Sequence, residues 1–307
     1  MQAAATAHVK LHARADAHAA WRALALTAAL QAAVFALHAA SLRCAAVALQ
    51  AGTSVRAFIL FHDACHSSFF PSPRANAALG RVLSAWTLTP FAYWRDMHLF
   101  HHANSGDLAL FDAADTIMFT AAQYASLSGP ARVAVRVLRD PLVFHLLVPA
   151  LQWFMLYPLA GATRDRYVVA GHVIHAALAW RWLGWAHYVG LYAACVAGVA
   201  LFHLQHAANP CSRTHAPAPR CAAAAALRGS THLRVPAALA WATLGIEFHH
   251  VHHLDTRVPS YRLAACHASA PPGTWQGVTS LGAREAAAAM RTVMYDEDTR
   301  RMVPFRA

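Results

Sequence analysis

The sequence predicts an all-α, integral-membrane helical bundle with about four transmembrane helices. Three observations carry that prediction. Of 307 residues, 58% are hydrophobic and only 13% are charged, about half the charged share of a soluble domain. Apolar stretches long enough to span hydrocarbon recur along the chain. Arginines gather near the ends of those stretches, at Arg132, Arg136, Arg139, Arg213, Arg220, Arg228 and Arg234. The net charge of +11 therefore fits loops beside anionic lipid. No recognition module or aromatic-basic repeat supports nucleic acid as a partner.

Residues 1–20 form a polar, alanine-rich segment without the pattern of a clear signal peptide. Residues 21–307 read as a single membrane domain with no internal repeat or flexible linker. The first two spans are 21–39 and 42–60, joined at Ser41 as a helical hairpin. Arg56, near the end of the second, is expected to snorkel to the interface, or alternatively to serve the site that follows. The third and fourth spans are 142–160 and 187–205. Residues 77–94 and 167–183 are apolar but carry Arg81, or His172, His175 and Arg181. Both are expected not to cross. An interfacial helix is expected over 235–248 and a helical stretch near 282–295.

Six cysteines, none in a C-x-x-C pair, indicate neither a disulfide framework nor a thiolate zinc site. Histidine, with 22 copies, carries the chemistry. His62-Asp63-Ala64-Cys65-His66 reads H-D-x-x-H. His98 to His102 reads H-x-x-H-H, and His249 to His253 contains a second H-x-x-H-H. At a histidine frequency of about 0.07, H-x-x-H-H arises by chance roughly 0.1 times in such a chain. On a helix, residues i, i+3 and i+4 share a face, so each cluster aims two or three imidazoles at one point. Imidazole ligates iron, zinc, copper and nickel, and eight imidazoles imply two metals. His38, His145, His172, His175, His187, His215, His232 and His267 are instead expected as hydrogen-bonded core or surface residues.

Topology tests the idea independently. Only 31 residues separate His66 from His98, whereas two further spans need roughly 40. If 77–94 and 167–183 do not cross, all three clusters lie on one side.

H-E-x-x-H is absent, and the histidines outnumber the needs of one zinc. A carboxylate di-iron bundle needs two E-x-x-H motifs and further glutamates, but the only glutamates are Glu247, Glu285 and Glu297. An all-histidine di-iron site remains, suited to oxygen-dependent attack on an unactivated C–H bond. Asp63 is a candidate to hold the other N–H of a ligand, or alternatively to cap a helix. Asp107 and Asp255 are similar candidates.

At these residues the chain resembles the membrane fatty-acid desaturases, specifically the omega-6/omega-3 acyl-lipid type. Phe61 through Phe70, Trp94 through Leu108, Gly229-Ser230-Thr231 and Phe248 through Leu263 carry the resemblance. It implies four membrane helices and a cytosolic cap holding two iron ions, with O2 as co-substrate. It implies metal ligands at His62, His66, His98, His101, His102, His249, His252 and His253. A ninth is implied at His206, in the pair Gln205-His206, with His203 as a substitute. The implied reaction introduces a cis double bond into a long-chain acyl group of a membrane lipid, with electrons from a ferredoxin or b-type cytochrome. The clusters would face the cytoplasm, or the stroma in a plastid. A hydroxylase on the same scaffold and a non-enzymatic membrane metal-binding protein are the alternatives. Cys65 in place of glycine, Glu247 in place of a neutral residue, and a proline- and arginine-rich stretch after His206 depart from the family pattern.

Overall fold

The computed structural model describes residues 2–105, 119–159, 165–208 and 222–305. Helix α1 (Gln2–Lys10) precedes α2 (Ala17–Ala39) and α3 (Arg43–Cys65). Asp16 caps α2 by accepting from the Ala19 amide at 2.9 Å, an arrangement worth about 1 kcal/mol. Ser41, with φ of 61°, turns the chain back, so α2 and α3 form the expected hairpin. Helices α4 (Pro73–Thr87) and α5 (Phe91–Asn104) follow. They are separated by Leu88 in the left-handed conformation, and α4 packs along α3.

After the short strand β1 (Phe119–Thr120) come α6 (Ala121–Ser126), α7 (Gly129–Leu138) and α8 (Val143–Leu159). Helix α9 (Arg166–Leu178) continues as a π turn to Leu183, and α10 runs Trp185–His206. The cap comprises α11 (Ala222–Gly229), β2 (Thr231–Leu233), α12 (Ala240–Thr243), α13 (His249–Leu254), α14 (Ser260–Ala268), β3 (Thr279–Leu281), α15 (Ala283–Ala289), β4 (Met294–Asp296) and β5 (Arg301–Val303). Strands β2 and β3 pair in parallel. Strand β4 lies between β1, parallel, and β5, antiparallel.

The chain is a membrane helical bundle. Helices α2, α3 and α10 are each long and apolar enough to cross a membrane. The expected span at 142–160 is different: α8 qualifies only together with α7, from which it is bent by 63°. Asp140 explains the bend, because its Oδ1 accepts from the amides of Leu142 and Val143 and starts a new helix there. Helices α4 and α9 are not among the spanning candidates. They cross so closely that a Cβ on Gly171 would clash with the Ala85 carbonyl.

Three expectations need correction. Arg56 does not snorkel. It is 3% exposed, and its Nε donates to Thr27 Oγ1 while Nη1 donates to the Trp241 carbonyl. It ties the cap to the α2–α3 hairpin. Residues 235–248 hold only the one-turn α12, because Leu244 and Gly245 adopt positive φ. Helix α15 stops at Ala289, and Met294–Asp296 is strand. The polar segment 1–20 also has a partner: Val9 of α1 is fully buried among Ile246, Val251, Val258 and Leu263 of the cap.

Candidate metal centre

Helix ends deliver the histidines. His62 lies in the last turn of α3 and His66 is its C-cap residue. His206 ends α10. His98, His101 and His102 lie on the last two turns of α5, and His249, His252 and His253 on the one-and-a-half turns of α13. Their side chains meet at one end of the bundle.

Two groups form. Ligand atoms of His62, His66, His98, His102 and His252 all lie within 4.8 Å of one another, as do those of His101, His206 and His253. His249 joins the second group, its Nε2 lying 3.0 Å from both His206 Nε2 and His253 Nε2. All nine candidate residues are therefore brought together. His203 is not. It sits one turn earlier on α10 and its Nε2 donates to the Ala289 carbonyl at 3.0 Å. His250, about 100° round the helix from His249, turns away and pairs with His267 Nδ1 at 2.9 Å.

Hydrogen bonding does not account for this packing. His102 Nε2 lies 3.1 Å from His98 Nε2 and 3.0 Å from His252 Nε2, yet one N–H points only one way. Both ring nitrogens of His66 are buried and unbonded, and His62 Nε2 is buried and unpaired. Orphaned buried nitrogens of this kind are costly, on the order of 1–3 kcal/mol each. Cations at the two foci convert those lone pairs into ligands, so the donor set fits metal. Burial, reinforced by neighbouring imidazoles, pushes His66, His98, His102, His249, His252 and His253 well below the ordinary histidine range. They are neutral at physiological pH, as metal ligands must be.

Surrounding groups orient the rings. His206 Nδ1 donates to the Gly229 carbonyl at 3.1 Å, which presents the Nε2 lone pair to the cluster. Asp63 is 1% exposed; its Oδ1 lies 3.3 Å from His62 Nδ1 and its Oδ2 accepts from the Ser260 amide at 2.7 Å. Asp63 thus meets a histidine and the first residue of α14 together. Asp255 does not reach the imidazoles; both its oxygens are taken by Arg257. Asp107 lies outside the described residues. Trp94 stacks on His98 at 4.3 Å and joins Phe58, Phe61 and Phe91 in an aromatic wall. That wall keeps water from one flank of the cluster.

Asp165 was not anticipated. It caps α9 through the Tyr167 amide and also accepts from the Phe91 amide and the Ser84 hydroxyl. One carboxylate thereby anchors the start of α5, the helix that carries three of the nine histidines. The signal was present, since an aspartate preceding an apolar run is an N-cap signature.

The fold and site define a membrane protein with a polyhistidine cluster suited to metal. Among known proteins, the family model described as fatty acid desaturase matches residues 35–275. A fatty acid desaturase of Bacillus subtilis (strain 168) is 31% identical over 272 residues, covering 84% of this chain and 76% of that protein. An sn-1 oleoyl-lipid 12-desaturase of Synechocystis is 27% identical over 230 residues, covering 69% of this chain and 64% of that protein. An endoplasmic-reticulum acyl-lipid omega-3 desaturase (cytochrome b5) of Arabidopsis thaliana is 41% identical over 49 residues, which is 16% of this chain and 13% of that protein. The chain belongs to the fatty acid desaturase family.

Proposed function

We propose that the chain is an acyl-lipid desaturase that introduces a cis double bond into a long-chain acyl group of a membrane lipid. The observation that carries this reading is the convergence of nine imidazoles at one end of an apolar bundle. His62, His66, His98, His102 and His252 would hold one iron, and His101, His206, His249 and His253 the other. When bound, the iron pair supplies the O2-dependent oxidation of an unactivated C–H bond, which no side chain performs alone. Neutral imidazoles leave the site net positive. Asp63 fixes the His62 tautomer, the Gly229 carbonyl fixes that of His206, and the Trp94 wall excludes water. The cluster lies at the end of the bundle where α3 and α10 terminate, and an acyl chain lying between the helices would meet it there.

Electrons come from a separate carrier. Relatives named for cytochrome b5 and for ferredoxin occur in Arabidopsis thaliana, and a carrier of either kind suits the arginine-rich surface. The histidine cluster faces the cytoplasm, or the stroma in a plastid. The test is expression in a host lacking polyunsaturated lipids, with a supplied donor, comparing wild type with His101→Ala by fatty-acid methyl-ester profiling. A new double bond in wild type only is expected. Hydroxylated chains alone, or no product despite intact iron content, would overturn the reading.

A further inference from the structure

Beyond the nine histidines, the bundle holds a second concentration of buried nitrogen donors. Arg139, the C-cap residue of α7, is 4% exposed. Its Nε, Nη1 and Nη2 are all buried and all without a hydrogen-bond partner. The guanidinium lies over the Phe144 ring at 4.2 Å. The Phe144 ring is 5.0 Å from the His145 ring and 5.9 Å from that of His203, and those two imidazoles meet edge-on at 5.0 Å. His145 is 6% exposed; the Met290 backbone lies beside it, but neither ring nitrogen has a partner at full hydrogen-bond geometry. His203 is 2% exposed; Nε2 is spent on the Ala289 carbonyl, but Nδ1 is buried and unpaired.

An arginine keeps its charge at any physiological pH, so a buried guanidinium with no acceptor is an incomplete site. The protein does not complete it. The adjacent carboxylate, Asp140, turns away to cap α8, and no described carboxylate pairs with Arg139. A planar fork of N–H donors beside two imidazoles suits a tetrahedral oxyanion with several acceptor oxygens. The location points to a source. Helix α7 exposes Val133, Val137 and Leu138, and Leu142 follows at the bend. An exposed apolar face beside Arg132 and Arg136, with a 63° bend before α8, fits α7 to the membrane interface, the level at which lipid phosphates sit.

We propose that the Arg139 guanidinium and His145, with the His203 ring beside them, form a phosphate-binding site, filled by the phosphate of a glycerophospholipid. Its identification as a substrate headgroup site rests on the acyl-lipid reading above. His203 lies one turn before His206. A headgroup held there starts its acyl chains beside α10, close to the metal cluster.

The test uses the full, iron-loaded chain in detergent and measures binding of three probes: dioleoylphosphatidylglycerol, dioleoylglycerol with the same chains, and inorganic phosphate. Wild type is expected to bind the phospholipid at least tenfold more tightly than the neutral lipid. Arg139→Gln removes that preference with iron content unchanged, and His145→Gln reduces it severalfold and serves if the first variant does not fold. Phosphate binding that Arg139→Gln abolishes, without any lipid preference, supports the site and assigns it to free phosphate. Equal binding of both lipids with no phosphate bound overturns it, as does a preference that survives both substitutions. Product analysis on the same samples separates the two readings. Desaturation without phosphate binding defeats the phosphate site alone, and phosphate binding without desaturation defeats the enzymatic reading alone.

Discussion

Two sets of buried histidines share this bundle, and they differ in how their protons are accounted for. In the first, His187 and His175 link α10, α9 and α4. His175 Nε2 donates to the Trp86 carbonyl at 3.0 Å, and His187 Nε2 meets His175 Nδ1 at 2.8 Å. His187 Nδ1 lies 3.0 Å from the Gln50 carboxamide. The nearer carboxamide atom is Oε1 and Nε2 is unpaired; one exchange of the two, the turn that the neighbouring protons require, gives each N–H in that chain one acceptor and each ring lone pair one donor. In the second set, around His98, His102 and His252, nitrogens face one another with too few directions for their protons. Both sets are buried. Burial and residue type therefore do not mark a metal site; an unbalanced hydrogen-bond ledger does.

Substitutions test that contrast. His101→Ala should halve bound iron and bring product to background, a fall of at least about 100-fold, since loss of mere outer partners costs about 10–100-fold. Iron analysis beside product profiling checks it; full iron content would show that His101 is no ligand. Asp63→Asn keeps an acceptor for the Ser260 amide but removes the carboxylate beside His62. Metal affinity should fall about 10–100-fold, measured by chelator competition. His187→Phe should leave iron untouched and cost about 1–3 kcal/mol of stability, because it strands His175 Nδ1 and Gln50. Thermal unfolding in micelles reads this out, and lost iron would erase the distinction between the two sets.

The smallest effect concerns His267. Burial, then the nearby His232, lowers it to about 4. Its unfolded form binds more protons than its folded form between about pH 4 and 6.5, the reference value. Its contribution is therefore whole above pH 6.5 and is lost as pH falls toward 4. Because the ring is half-buried, the difference between wild type and His267→Gln should be on the order of 1 kcal/mol. Urea titrations at pH 7 and 5 would show it, and equal pH slopes in both proteins would refute it.

Much of the site was legible because histidine spacing on a helix is a local property. His62 and His66, or His98, His101 and His102, share a face whatever surrounds them. The hairpin at Ser41 was legible for the same reason, since two apolar runs of spanning length flank it. The misread elements depend on distant partners. Arg56 looks like an interfacial arginine until Thr27 and the Trp241 carbonyl arrive from elsewhere in the chain. The bend before α8 turns on which atoms Asp140 finds. Asp255 resembles Asp63 in sequence context, yet Arg257 two residues on captures it.

Helix α1 sets a condition on biosynthesis. His8 donates to the carbonyl of Cys266, a contact spanning 258 positions, and Asp16 meets Tyr261 across 245. Helix α1 is made well before its docking surface, which lies 258 positions further along the chain at Cys266. For most of translation it must wait undocked while the spanning helices insert. Closing so long a loop adds little entropy beyond a medium one, but it cannot happen early. Docking of α1 is therefore a late event in assembly, and a bulky fusion ahead of it would hinder the final closure of the cap more than the insertion of the bundle.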